Sequence, residues 1–282
     1  MWAELERLSR HVPVAARPAL IAVAHGSRDP RSAATMSAVV ADIAAARPDL
    51  DVRLAFLDLN TPSVEQIVDA VAAQGHTHAV VAPLLLGNAF HARVDLPELL
   101  ATAGARHPQL LLTQADVLGP DPRLIAALRD RISETLAAQP DSPSTQACTE
   151  FCTAADLGET THAHADRIGI AVAAVGSSSP AANARTAEVA RRLSAITGWH
   201  TEICFATTEP TVTEAISRLR ARGATEILIA PWFLAPGLLT DRLAAAAPNH
   251  PHTPVIGPHP TLTEIVLARY DTAVNTLLPL SA

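Results

Sequence analysis

The sequence predicts an α/β protein of two similar lobes, each a small parallel β-sheet flanked by helices, with a cleft between them. Three observations carry that prediction. Short apolar runs of strand type alternate with longer helical patterns, the signature of βαβ units and a parallel sheet. The two halves of the chain match each other in order, which reads as a duplication. Between them, residues 140–166 (PDSPSTQACTEFCTAADLGETTHAHAD) are rich in Ser, Thr, Pro and acidic residues, with no cation between Arg131 and Arg167. Such a stretch has little to bury and reads as a linker. The expected division is therefore residues 1–139, 140–166 and 167–282.

In the first half the runs LIAVA, DVRLAFL, HAVVAPLL and LLLTQA predict strands at 20–24, 51–57, 78–85 and 110–115. The stretches between and after them predict helices at 31–47, 63–74, 96–106 and 122–138. The second half repeats the series: strands at 167–174, 200–206 and 226–233, a shorter one around Val255, and helices at 181–197, 212–222, 240–247 and 261–277. Four ordered matches support the duplication. HGSRDP aligns with VGSSSP at an offset of 150, from Gly26 to Gly176. FLDLNTPSVEQI with FATTEPTVTEA, and VVAPLLL with LIAPWFL, align at 148, and VLGPDPRLIAAL with VIGPHPTLTEIV aligns at 138.

Ligands of an open parallel sheet bind beyond the carboxyl ends of its strands. Three first-half residues at such places can titrate or bind metal: His25, Asp58 and His91. Their second-half counterparts by these offsets are Val175, Ala206 and Leu239. A histidine at a strand end is often a hydrogen-bonded structural residue. Joint absence of all three groups from one copy points instead to a site held by the first lobe. Two neutral imidazoles and a carboxylate form a half-open site for Fe²⁺, Co²⁺ or Zn²⁺, suited to delivering a metal rather than storing it.

Composition narrows the function further. The 282 residues are 49% hydrophobic and 17% charged, enough for a real core, and the formal net charge is −7. That balance argues against a general nucleic-acid binder, which needs clustered cations. All 21 cationic residues are arginine, and no function follows from it. No run of eighteen apolar residues and no signal-like amino terminus is present in the sequence, so a cytoplasmic protein without a membrane partner is expected. Cys148, Cys152 and Cys204 are too few for a disulfide framework. Cys148 and Cys152 with His162 and His164 read as C-x3-C and H-x-H, which could bind zinc or an iron–sulfur cluster. C-x3-C is not a common structural zinc spacing, so the segment is read as a solvated tether. His76 and His78 flank the far end of a strand and are expected at the surface, while Trp199, Trp232 and Phe233 are expected in packing.

With AHGSRDP, AFLDLNTPS and APLLLGNAFHARVDLPELL in hand, the chain resembles the sirohydrochlorin chelatases of the long, two-lobed form, within the class II chelatase superfamily. The resemblance covers both halves. It implies insertion of Fe²⁺ or Co²⁺ into sirohydrochlorin, for siroheme or cobalamin synthesis, with the metal as substrate and no organic cofactor. The family's two histidines fall on His25 and His91, as metal-presenting and proton-accepting groups, and its acidic position on Asp58, where members often have glutamate. Ser27 and Arg28, at the turn into a helix, and Arg93 are expected to contact substrate carboxylates. One chain supplies both lobes, so a monomer is expected. The rival reading is a metal or tetrapyrrole carrier that performs no insertion; a two-lobed ligand receptor of periplasmic type has no export signal to support it.

Overall fold

A computed structural model describes residues 17–87, 95–119, 121–138 and 167–277. The first half runs β1 (Ala19–Ala24), α1 (Pro30–Ala46), β2 (Val52–Phe56), α2 (Val64–Ala73), β3 (His78–Pro83), α3 (Leu96–Arg106), β4 (Leu111–Gln114) and α4 (Pro122–Ala137). The second runs β5 (Ile168–Ala174), α5 (Pro180–Thr197), β6 (His200–Phe205), α6 (Val212–Ala221), β7 (Glu226–Pro231), α7 (Leu238–Ala246) and α8 (Pro260–Leu277). Among the described residues all strand pairs are parallel, in the orders β2-β1-β3-β4 and β6-β5-β7. The strand expected around Val255 does not form. A single bridge from Ile229 to His252 replaces it, because Pro251 and Pro254 cannot donate to a ladder.

Local chemistry starts the helices where the sequence reading put them, within a residue or two. Asp29, Asp121 and Ser179 cap α1, α4 and α5, each followed by a proline at the first helical position, where a missing N–H costs nothing. Ser63 with Gln66, and Thr211 with Glu214, close reciprocal capping boxes at α2 and α6.

Side chains alternate across each strand, so both faces of the central strands are buried and feed different cores. Ala19, Ile21 and Val23 of β1 pack with α2 and α3, while Leu20, Ala22 and Ala24 face the opposite way. In β5, Ala171 and Ala173 pack with α6 and α7, and Ile168, Ile170, Val172 and Ala174 face away from them. The two inner faces meet one continuous core built from α1, α4, α5 and α8. The layers are thus helices, sheet, shared helices, sheet, helices.

Within the shared layer the last helices change sides. α4 packs on α5 and β7, and α8 packs on α1 and β3. Tyr270 of α8, fully buried, donates its hydroxyl to the carbonyl of Pro18 at the root of β1 (2.7 Å). Each half of the sequence therefore closes the other half's sheet.

His76 and His78 are more engaged than surface residues. His76 Nε2 lies 3.1 Å from Asp51 Oδ2 and His78 Nε2 lies 3.1 Å from Thr113 Oγ1, both half-buried. Trp232 is buried in the shared core, Trp199 packs half-buried against it, and half-buried Phe233 packs on the outer core of the second sheet. Among the described residues no helix is long and apolar enough to cross a membrane.

Candidate functional site

β1 ends at Ala24, and parallel pairing with the chain after β2 continues one step beyond the strand. The amide of Leu57 donates to Ala24 (2.9 Å) and that of Asp58 to His25 (3.0 Å). His25 and Asp58 are thereby neighbours at the carboxyl edge of the first sheet, both exposed. Gly26 turns the chain with φ +98°, and a Cβ there would stand 1.8 Å from the carbonyl oxygen of Asp58. Only glycine permits that turn with this close an approach.

The turn after His25 is tied down by groups that sequence reasoning did not single out. Asn60 Oδ1 accepts from the amide of Ser27 (2.7 Å), and Ser27 Oγ accepts from the amide of Asp29 (3.1 Å). Ser27 thus keeps only its hydroxyl hydrogen to offer a carboxylate. Asp58 Oδ1 accepts from the amide of Leu59 (2.7 Å), which holds the carboxyl group at the loop rim. Arg28 is exposed on the next residue of the turn.

The second half reaches this turn directly. Gly237, at the start of α7, would place a Cβ 3.8 Å from Ser27 Oγ and 3.9 Å from Asp29 Cβ. One step further on, Arg31 Nη2 donates to Asp241 Oδ2 (2.6 Å) as well as to Asp29 Oδ2 (2.5 Å). The Arg31 hydrogen bonds hold the Asp29 carboxyl below its ordinary range, and the two carboxylates raise the guanidinium. The start of α7 therefore rests on the turn between β1 and α1, beside the exposed carboxyl edge of the first sheet.

His91 and Arg93 lie outside the described residues, as do Cys148, Cys152, His162 and His164. Among the described residues no cluster of three or more His, Cys, Asp or Glu side chains could hold a metal. Cys204 is buried, with its thiol pushed up to about 12 by burial, so it stays neutral.

The second-half counterparts need one correction. Ala206 donates to Ala174 and Thr207 to Val175 (2.8 and 3.1 Å), so the residue facing Val175 as Asp58 faces His25 is Thr207, not Ala206. The shift arises because the loop 56–62 is one residue longer than the loop 205–210, with Leu59 at φ +64° in the longer one. Thr207 is polar but not ionisable, and its hydroxyl donates to the carbonyl of Val175 (2.8 Å). The contrast between the copies survives in charge, not in polarity.

A family model, CbiX, matches residues 19–135 and 169–273. The chain belongs to the CbiX family. Similarity to individual CbiX relatives follows the same lines. A sirohydrochlorin ferrochelatase of Priestia megaterium is 37% identical over 120 residues, which are 42% of this chain and 44% of that protein. A sirohydrochlorin cobaltochelatase of the same organism is 26% identical over 227 residues, 78% of this chain and 65% of that one. The chain thus spans less than two thirds of each of these two relatives. The solved structure of SirB from Bacillus subtilis with Fe³⁺ shares the CbiX fold with a TM-score of 0.70 at 24% identity, covering 92% of this chain and 97% of that one. The two-lobed α/β architecture read from the sequence is that of this family.

Proposed function

We propose that this chain is a sirohydrochlorin chelatase, inserting Fe²⁺ or Co²⁺ into sirohydrochlorin and releasing two protons. The observation that carries the reading is the pairing of His25 with Asp58 at the carboxyl edge of the first sheet, in a chain whose family members include named ferrochelatases and cobaltochelatases. Membership in that family favours insertion over mere carriage of metal or tetrapyrrole.

The chemistry follows from the groups. A neutral imidazole has one basic nitrogen, so His25, with His91, can present the metal substrate or take a pyrrolic proton. Asp58, one strand away, orients that imidazole or passes the proton outward. Arg28, the Ser27 hydroxyl and Arg93 receive the carboxylates of the macrocycle. The metal is held by few ligands and leaves with the product. Imidazole and carboxylate accept both iron and cobalt, so these residues do not choose between them. Both lobes come from one chain, and the working unit is a monomer.

Anaerobic turnover with each metal tests the reading. Wild-type protein should metallate many equivalents of sirohydrochlorin with either ion. His25→Ala and His91→Ala should each cost at least about tenfold, the lower end of a general acid–base contribution being larger still. The rate should fall in acid, because a protonated imidazole can neither hold the metal nor accept a proton. A single equivalent of product per protein would make it a carrier, and near-normal turnover in both histidine variants would remove the site.

A further inference from the structure

The exchanged helices of the shared layer carry a matched pair of arginines. From α4, Arg131 donates to the carbonyl of Ile256 through Nε (3.3 Å) and Nη2 (3.0 Å), and to that of Pro258 through Nη2 (2.7 Å). From α8, Arg269 donates to the carbonyls of Val117 (3.1 Å) and Leu118 (3.4 Å) and reaches Asp121 Oδ2 at 3.3 Å. Leu118 and Ile256 are equivalent in the repeat, as are Gly119 and Gly257. Each arginine thus grips the same turn, in the half of the chain to which it does not belong.

Those turns hold the loops that leave the third strand of each sheet. The amide of Leu118 donates to Leu85 (3.1 Å), and a Cβ on Gly119 would stand 2.1 Å from the carbonyl oxygen of Leu86. In the other half, Ile256 donates to Phe233 (2.9 Å) and Gly257 to Leu234 (3.0 Å). Residues 84–87 are the root of the sequence that continues to His91, and residues 233–237 lead to the glycine that rests on the turn of Ser27 and Asp29.

Docking of the helices also has an apolar source. Leu124, Leu128 and Ile132 of α4, and Leu262, Ile265, Val266 and Tyr270 of α8, already bury them in the common core. The guanidinium groups reach the backbone carbonyls of those turns, and each also meets one carboxylate, Glu134 for Arg131 (3.0 Å) and Asp121 for Arg269. Their side chains are only 19% and 26% exposed, and a planar fork suits two carbonyls of one turn as a lysine point charge does not.

We propose that Arg131 and Arg269 are positioning residues for metal insertion: each, from a helix lent to the opposite lobe, fixes the turn that holds one flank of the site. The proposal rests on the chelatase reading, and its test has one arm that does not. Amide hydrogen exchange over 84–87 and 117–119 is measured on metal-free protein for Arg269→Met and Arg269→Lys, alongside steady-state insertion of Co²⁺. The Met variant should exchange faster in both segments, and its kcat should fall about tenfold, as for a displacement well under 1 Å, while KM for sirohydrochlorin stays within about twofold. Lysine should restore part of both. Wild-type exchange and kcat in a folded Met variant would overturn the proposal. If the Met variant does not fold, the Lys variant and Arg269→Gln decide by the same two readings. If wild-type protein inserts no metal, the chelatase reading fails, and the exchange arm alone upholds or sinks the coupling.

Discussion

Gly26→Ala isolates the geometry of the site from the stability of the fold. The new methyl group would stand 1.8 Å from the carbonyl oxygen of Asp58, where real contacts essentially never fall below 3.0 Å. Relief requires the His25 turn and the Asp58 loop to part by about 1 Å, because the Cβ is fixed rigidly to the backbone and the oxygen belongs to it, so neither is a flexible tip. A shift of that size between an imidazole and its neighbour is worth about a hundredfold in rate. A second cost is conformational: alanine at φ +98° loses about 1–2 kcal/mol. That lowers the melting temperature by a few degrees without unfolding a domain of this size, at about 2–4 °C per kcal/mol. The matched control is Gly176→Ala, at φ +94°, whose methyl would meet side-chain atoms of Thr207, Thr208 and Phe205 at 2.8, 2.9 and 3.0 Å. Both variants should melt earlier, and only the first should lose turnover. Metal insertion at saturating sirohydrochlorin, beside thermal melts of the three proteins, reads both effects. A Gly26→Ala protein that melts early yet turns over within about threefold of wild type would refute the link between this turn and the chemistry.

Acid should weaken the fold before any carboxylate is protonated. Burial lowers the proton affinity of His78, and burial together with Arg131 lowers that of His259, so the unfolded chain binds protons that the folded chain resists. Their stabilising contribution is complete above about pH 6.5 and drains away as pH falls toward the folded values. Melts between pH 7 and pH 5 should show the decline, flattened in His78→Gln and His259→Gln; equal slopes in all three would exclude these imidazoles as its source. Replacing residues 144–164 by a short flexible segment should leave chelation of added metal intact, since the halves meet through a common core and a tether mainly sets effective concentration. Loss of turnover in that variant would give the segment a role in catalysis.

Apart from the strand expected around Val255, element type and order were readable because most strands are short and largely apolar and most helices open on a capping residue, often with proline behind it. The carboxyl-edge location of His25 and Asp58 followed from strand ends alone. Their contact as neighbours needed the hydrogen bonds that continue past β1. The true partner of Val175 was hidden because a one-residue loop difference disappears in an alignment pinned on Pro62 and Pro210. Asn60 and Arg31 gave no signal, since a loop amide and an exposed arginine look alike whether or not they bind a turn. The crossing of α4 and α8 was equally silent: an amphipathic helix with Leu124, Leu128 and Ile132 on one face suits either sheet, and nothing in the pattern names which.

That crossing has a consequence for inheritance. Had the two halves remained separate bodies, either could have drifted freely or been lost. Here the second half's final helix covers the first half's sheet, and Tyr270 seals the root of β1. Each half therefore remains answerable to the other. Substitutions in α8 should be tolerated or rejected according to what occupies α1 and β3, so the two ends of this gene are bound to change in concert.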